Sequence, residues 1–155
     1  RKAHGLRLVG ARRILRDEAL QLANGVWIIG RDDYDSKRYS SYVQRLTLKY
    51  LIDKINPEQP IIVLDHQPLN LSESIASRID LQLSGHTHNG QLWPLNYLTA
   101  KVYQVSHGYK KIDGTHFIVS SGFGTWGPPI RLASRSEVYL IKLRFQPDFG
   151  DEQYI

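Results

Sequence analysis

Cysteine and methionine are both absent from this 155-residue sequence, and no stretch approaches the roughly 20 consecutive apolar residues that a membrane-spanning helix requires. Without cysteine there are no disulfides and no thiolate ligands, so any bound metal must be held by nitrogen and oxygen. No signal peptide is visible. The missing methionine includes an initiator, which agrees with a sequence that begins inside a longer chain. Internal repeats, a glycine-rich phosphate loop and low-complexity tracts are lacking as well. Acidic residues are scarce at the start, where Arg1, Lys2, Arg7, Arg12, Arg13 and Arg16 precede the first carboxylate, Asp17. Such a segment suits anionic lipid headgroups or a solvated face. Nucleic acid is not favoured as a partner, because neither a helical stripe of cations nor interleaved aromatics accompanies the charges. A membrane surface stays open as a partner, and with it the choice between a membrane-associated and a cytoplasmic location.

What is present is an ordinary globular composition, 41% hydrophobic and 23% charged, enough for one domain or part of one. Residues 1–145 read as that domain and 146–155 as a tail. Its centre is Asp80-Leu81-Gln82-Leu83-Ser84-Gly85-His86-Thr87-His88-Asn89-Gly90-Gln91. Ile79, Leu81 and Leu83 read as a strand ending at Gly85, and two histidines follow at once. In an extended backbone residues i and i+2 share a face about 7 Å apart, so His86 and His88 can converge on one metal or serve two about 4 Å apart. Gly85 and Gly90 bracket the pair and let the backbone turn. A second apolar run, Pro60 to Leu64, has the look of a strand buried on both faces, and it too stops at a histidine, in Asp65-His66-Gln67-Pro68. Two core strands that each end in loop histidines are what a metal site at the strand ends of an α/β sheet requires.

Along the rest of the chain, Arg12 to Leu15, Glu18 to Ala23 and Val26 to Ile29 read as short strands, the last two joined through Asn24-Gly25 as a type I′ hairpin. Arg31-Asp32-Asp33-Tyr34-Asp35 reads as a capping and solvating loop rather than a metal ligand set. Ser41 to Ile55 is expected to be a helix whose apolar stripe runs through Val43, Leu46, Tyr50 and Leu51 and which stops at Asn56-Pro57. Ser72 to Ser77 reads as a short helix between the two histidine strands, and a strand–helix–strand unit favours a parallel pair with both histidine loops at one sheet edge. Trp93 to Leu98 reads as loop or a single helical turn. Tyr103 to Ile112 and Thr115 to Ser121 form a second hairpin through Asp113-Gly114, with His107 and His116 as packed or surface residues rather than ligands. Gly122 to Pro129 is a loop, and Glu137 to Phe145 an alternating strand.

These motifs resemble the calcineurin-like metallophosphoesterases, closest to a bacterial branch whose members are often tethered to a membrane. Leu64-Asp65-His66-Gln67-Pro68 fits that family's Leu-x-His-x-Pro, and Gly85 to Gln91 fits its Gly-His-x-His-x-Gly-Gln. Ser121-Gly122-Phe123-Gly124-Thr125 followed by Arg131 is similar to a later run. The family's Asp-x-His, Gly-Asp and Gly-Asn-His-Glu motifs are missing, apart from Gly150-Asp151 in the tail. The resemblance therefore implies an α/β fold, part of a two-sheet sandwich flanked by helices, with its N-terminal strands and the N-terminal half of the domain lacking. It implies hydrolysis of phosphate esters, by a phosphatase or phosphodiesterase, at a dinuclear site of two divalent metal ions (manganese, zinc or iron). His66 and His86 would hold one ion and His88 the other, with no catalytic residue assigned in this fragment. Asp65 and Asn89 would orient imidazoles, and Arg131 would clamp a phosphate oxygen of the phosphate-ester substrate. The fragment alone is expected to turn over little, and bared sheet edges are expected to favour self-association. The alternative is a non-catalytic metal- or anion-binding module.

Overall fold

The computed structural model of the chain describes residues 13–34, 45–132 and 134–144. They build one six-stranded mixed sheet in the order β1-β2-β3-β4-β6-β5, where β1 is Glu18–Gln21, β2 Trp27–Gly30, β3 Ile61–Leu64, β4 Leu81–Ser84, β5 Gly108–Ile112 and β6 Thr115–Val119. The four inner strands run parallel, and the two edge strands pair antiparallel through hairpins. Exposed Lys110 and Lys111 charge the outer edge strand β5, which discourages further pairing there. Helices α1 (Leu48–Ile52), α2 (Leu71–Ala76) and α3 (Leu95–Val102) complete the described elements. No helix among the described residues is long and apolar enough to cross a membrane. The α/β architecture is as expected, although the described residues form a single sheet and not a sandwich of two.

One face of the sheet lies under the helices. Ile29, Ile61, Val63 and Ile79 pack against Leu48 and Leu51 of α1, while Phe117 and Val119 pack with Val105 and with Leu71 of α2. A buried polar contact pins α2 to the sheet: the Ser74 hydroxyl donates to Gln82 Oε1 at 2.6 Å, and Gln82 Nε2 donates to Ser84 Oγ at 3.2 Å. Satisfying both ends of that amide is what makes its burial tolerable. The opposite face gathers Val26, Ile62 and Leu81 with Ile28, Leu83, Ile118 and Ile141. The run Pro60 to Leu64 is buried on both faces only as far as Val63, since Leu64 is 41% exposed.

Several sequence expectations are corrected here. Residues 13–15 join no strand; Leu15 instead backs onto Gly30, where a Cβ would collide with it. The first hairpin exists, but Gly25 N–H donates to Leu22 O and only Gly25 of the pair has positive φ (90°), so Ala23 and Asn24 are the turn's central residues and Gly25 the bulge that follows. The second hairpin does have positive φ at both Asp113 and Gly114. Ser41 to Gln44 lie outside the described residues, as do Asp35, Phe145 and the tail. Helix α1 starts only at Leu48, because the Thr47 side chain caps it by accepting from Tyr50 N, and Leu46 N–H is taken by Asp17 Oδ2 at 2.8 Å. Its buried face is Leu48 and Leu51, leaving Leu46 and Tyr50 exposed. Helix α2 starts one residue early, at Leu71 after Asn70. Trp93 to Leu98, read as loop or a single helical turn, leads through Pro94 into a two-turn helix that begins at Leu95. Residues 137–144 join no ladder: the Glu137 N–H bonds Gly122 O at 3.1 Å, and Ile141 folds over the sheet's open face.

Candidate metal centre

The two histidine motifs meet because β3 and β4 are adjacent and parallel with Leu64 opposite Leu83. The ladder runs on past both strands: Asp65 N–H donates to Leu83 O and Gly85 N–H to His66 O, each at 3.0 Å. This sets His66 and His86 side by side at the carboxyl edge of the sheet, where α/β proteins place their sites. Their rings stand edge to face with centroids 5.1 Å apart, and His86 Nδ1 lies 3.3 Å from His66 Nε2. Tyr103 borders the pair, its ring centroid 6.4 Å from that of His86.

His86 and His88 do not share an extended face as the spacing suggests. His86 (φ 67°), His88 (φ 48°) and Asn89 (φ 49°) all lie in the left-handed region, and His88–Gly90 is a single 3-10 turn. Thr87 makes the turn by donating its hydroxyl to Ser106 O at 2.7 Å and accepting from Asn89 N. Left-handed non-glycine residues in series are strained, and such strain is held at sites where the surroundings over-determine the backbone. Gly85 is not needed for φ, whereas Gly90 is: its φ is 74°, and a Cβ there would strike the backbone of Asn96 at the start of α3.

His88 stands beside the pair. Burial lowers its pKa from the usual imidazole value, helped by the positive charges of Arg131, His86 and His66, with the Ser121 backbone pulling slightly the other way. The neutral ring thus favoured is the form that ligates metals. Its Nδ1 is sealed from solvent without a hydrogen-bond partner. A buried nitrogen in that condition is unusual and suits a ligand role. Imidazoles are suitable nitrogen donors for a divalent transition ion, although no group of three or more His, Asp or Glu side chains among the described residues comes together as a ready-made metal site.

The surrounding residues differ in part from their expected roles. Asp65 is buried, and its carboxylate takes both guanidinium nitrogens of Arg45 rather than an imidazole, with Nη1 3.2 Å from Oδ1. Burial raises its pKa against the lowering pull of Arg45 and Arg31. Asn89 serves the turn through its backbone. Arg131 lies next to His88, but Nη2 donates to the carbonyls of Ser121 (2.9 Å), Gly122 (3.1 Å) and Gly124, and Nη1 to Ser134 Oγ at 3.3 Å. It holds the 121–124 loop in shape, and its Nε is buried without a partner. The acidic stretch caps its loop: Asp32 Oδ1 accepts from Asp33 N, and Asp33 Oδ1 from Gln67 Nε2. His107 is held by Glu137 at 2.9 Å and His116 by Tyr109 at 2.9 Å.

Two organising residues escaped sequence reasoning. The buried Gln91 side chain accepts from Trp126 N and donates to Trp126 O, both at 2.6 Å, fastening the 126–128 loop to the histidine turn. Glu137 Oε1 accepts from Ser121 N at 2.6 Å and anchors the other side of that loop. The only signal for Gln91 was its place at the end of the histidine motif; for Glu137 there was none.

The chain is similar over most of its length to several curated proteins. It is 37% identical over 134 residues to an uncharacterized metallophosphoesterase of Aquifex aeolicus, covering 85% of this chain and 51% of that protein. It is 35% identical over 132 residues to one of Helicobacter pylori, covering 84% of this chain and 35% of the relative. A Bos taurus transmembrane protein with metallophosphoesterase domain is 33% identical over 125 residues, 79% of this chain and 28% of that one. The chain thus spans about half the length, or less, of the relatives it matches. No protein-family model and no solved structure matches it. With relatives that cover 75–85% of it and carry the metallophosphoesterase name, the chain belongs to the metallophosphoesterases.

Proposed function

We propose that this chain forms part of a metal-dependent phosphate-ester hydrolase with a two-ion site, His66 and His86 holding one divalent ion and His88 the other. The observation that carries the reading is the 3.3 Å approach of His66 Nε2 to His86 Nδ1 at the ends of adjacent parallel strands, with the unpartnered His88 Nδ1 beside them. The names of the relatives agree with it. Bound ions would supply Lewis-acid charge for the phosphoryl oxygens and ease deprotonation of an attacking water. The residues of this chain hold and orient: the ladder past β3 and β4 fixes the spacing of His66 and His86, and the 3-10 turn aims His88. Arg131, through the carbonyls of Ser121, Gly122 and Gly124, shapes the loop bordering His88 and places a fixed positive charge near an incoming phosphate. With only these three nitrogen donors assigned, the 155-residue chain binds ions weakly and turns over little by itself.

The test is calorimetric titration of the chain with Mn²⁺ and Zn²⁺, beside hydrolysis of a chromogenic phosphodiester. Saturable binding that disappears in His66→Ala and His86→Ala variants, with negligible turnover, is the expected result. Equal binding by wild type and variants would overturn the ligand assignment, and robust turnover by the chain alone would overturn the claim that its site is incomplete.

A further inference from the structure

The carboxylate of Glu137 reaches the candidate metal centre through a chain of hydrogen bonds. Past Val119, β6 keeps running beside β4: Ser120 N–H donates to Ser84 O at 2.9 Å, and a Cβ on Gly85 would sit 3.8 Å from Ser120 O. Ser120 and the buried Ser121 thus arrive alongside the start of the histidine turn. Every polar atom of Ser121 is then committed. Its N–H donates to Glu137 Oε1 at 2.6 Å, its hydroxyl donates to Arg135 O at 2.8 Å, and its carbonyl accepts from Arg131 Nη2 at 2.9 Å. Glu137 Oε1 is fixed in turn, since it also accepts from Ser120 Oγ and lies 2.9 Å from His107 Nε2, while Glu137 N–H donates to Gly122 O at 3.1 Å.

The Ser121 peptide acts on His88. Burial opposes protonation of that ring most, the Arg131 charge opposes it too, and the Ser121 backbone favours it, as a carbonyl beside a ring N–H does. Arg131 itself docks on the Ser121 carbonyl, so one peptide sets both neighbours. A backbone carbonyl that orients a ligand imidazole aims its remaining nitrogen, and losing such an outer contact weakens ion binding about 10–100-fold. We propose that Glu137 is a positioning residue of the metal centre, acting on His88 through the Ser121 peptide. It touches no ion itself. The proposal rests on the reading of His88 as a ligand and goes beyond it by naming what holds that ligand in place. What Glu137 supplies is reach: its side chain is long enough to meet Ser121 N–H. A shorter one drags the peptide by about the 1.5 Å of one C–C bond, or lets it go.

Titration of the 155-residue chain with Co²⁺ alone, followed by visible absorption, tests this. The proteins are wild type, Glu137→Asp, Glu137→Gln and the same three in a His88→Ala background, at a temperature where circular dichroism shows all of them folded. Glu137→Asp keeps the charge and loses the reach, so it should bind Co²⁺ about tenfold more weakly, with altered band intensity. Glu137→Gln keeps the reach and loses the charge, so it should stay within about threefold of wild type although it is less stable. A residue that serves stability alone gives no change in affinity, and one that acts by charge alone gives the reverse order; either result overturns the proposal. In the His88→Ala background Glu137→Asp should weaken binding no further, because its effect runs through that ring. An equal loss there would overturn the proposal as well. Wild type that shows no saturable Co²⁺ binding would overturn the ligand reading itself, and this proposal with it.

Discussion

Replacing Glu137 with glutamine removes one charge and leaves the shape. The carboxylate is about three-quarters buried, and its Oε1 accepts from Ser121 N at 2.6 Å, His107 Nε2 at 2.9 Å and Ser120 Oγ at 3.3 Å. Burial alone would raise its pKa, but these donors outweigh it and hold the carboxyl below its ordinary value of 4.5. A glutamine oxygen still accepts from Ser121 but without the charge, so the loss is the difference between charged and neutral hydrogen bonds, about 1–2 kcal/mol at neutral pH. The sign with pH follows from linkage. A carboxyl whose folded pKa is lowered contributes stability that is present above the unfolded value and lost as pH falls through the folded one. Urea unfolding followed by tryptophan fluorescence should therefore show wild type and Glu137→Gln well separated at neutral pH and converging as pH falls below the ordinary carboxyl value of 4.5 and through the lower folded one. A second readout is independent of unfolding. Burial raises the Tyr139 phenol above 10.0, and the Glu137 charge raises it further, so spectrophotometric titration of the variant should find that phenol shifted down. A stability gap that does not change between neutral and acid pH, or a Tyr139 titration untouched by the substitution, would refute the reasoning.

The buried Arg45–Asp65 pair gives a second expectation: Arg45→Met strands the Asp65 carboxylate and should cost about 3 kcal/mol in urea unfolding, and adding Asp65→Leu should restore most of it. If the double variant is no more stable than the single, the pair is not what holds that corner. Gly90→Ala forces a Cβ into the Asn96 backbone at φ 74°, so it should destabilise by about 2 kcal/mol or more and detach α3 from the histidine turn. Hydrogen exchange in residues 95–102 measures that detachment; exchange identical to wild type would count against it.

Much of the scaffold was legible in order along the chain. The β-branched run at 61–63, the Asp113-Gly114 turn and the alternation of strand, helix and strand between residues 61 and 84 each have local causes: side-chain branching, positive-φ residues, and a connection long enough only for a crossover. The errors fell where a distant partner decides. In helix α1, Leu51 is buried as read, but Leu46 and Tyr50 are exposed and Leu46 precedes the helix, its amide taken by Asp17. Residues 137–144 alternate like a strand, yet the Glu137 carboxylate is committed to Ser121. Helix α3 was read as a single turn at most because its apolar residues point away from the core, so periodicity and burial disagree.

The candidate centre divides along the same line. Residue types and spacing alone singled out His66, His86 and His88 as candidate nitrogen donors and put both motifs at strand ends, because ligand chemistry belongs to the side chain and strand termini to local composition. Which atoms face one another was decided only by the parallel register of Leu64 with Leu83 and by left-handed backbone at His86 and His88. The same holds for Asp65 and Arg131, whose charges are drawn to Arg45 and to three loop carbonyls. Burial makes any nearby partner compulsory for a charged group, and which partner is near is a property of the folded chain.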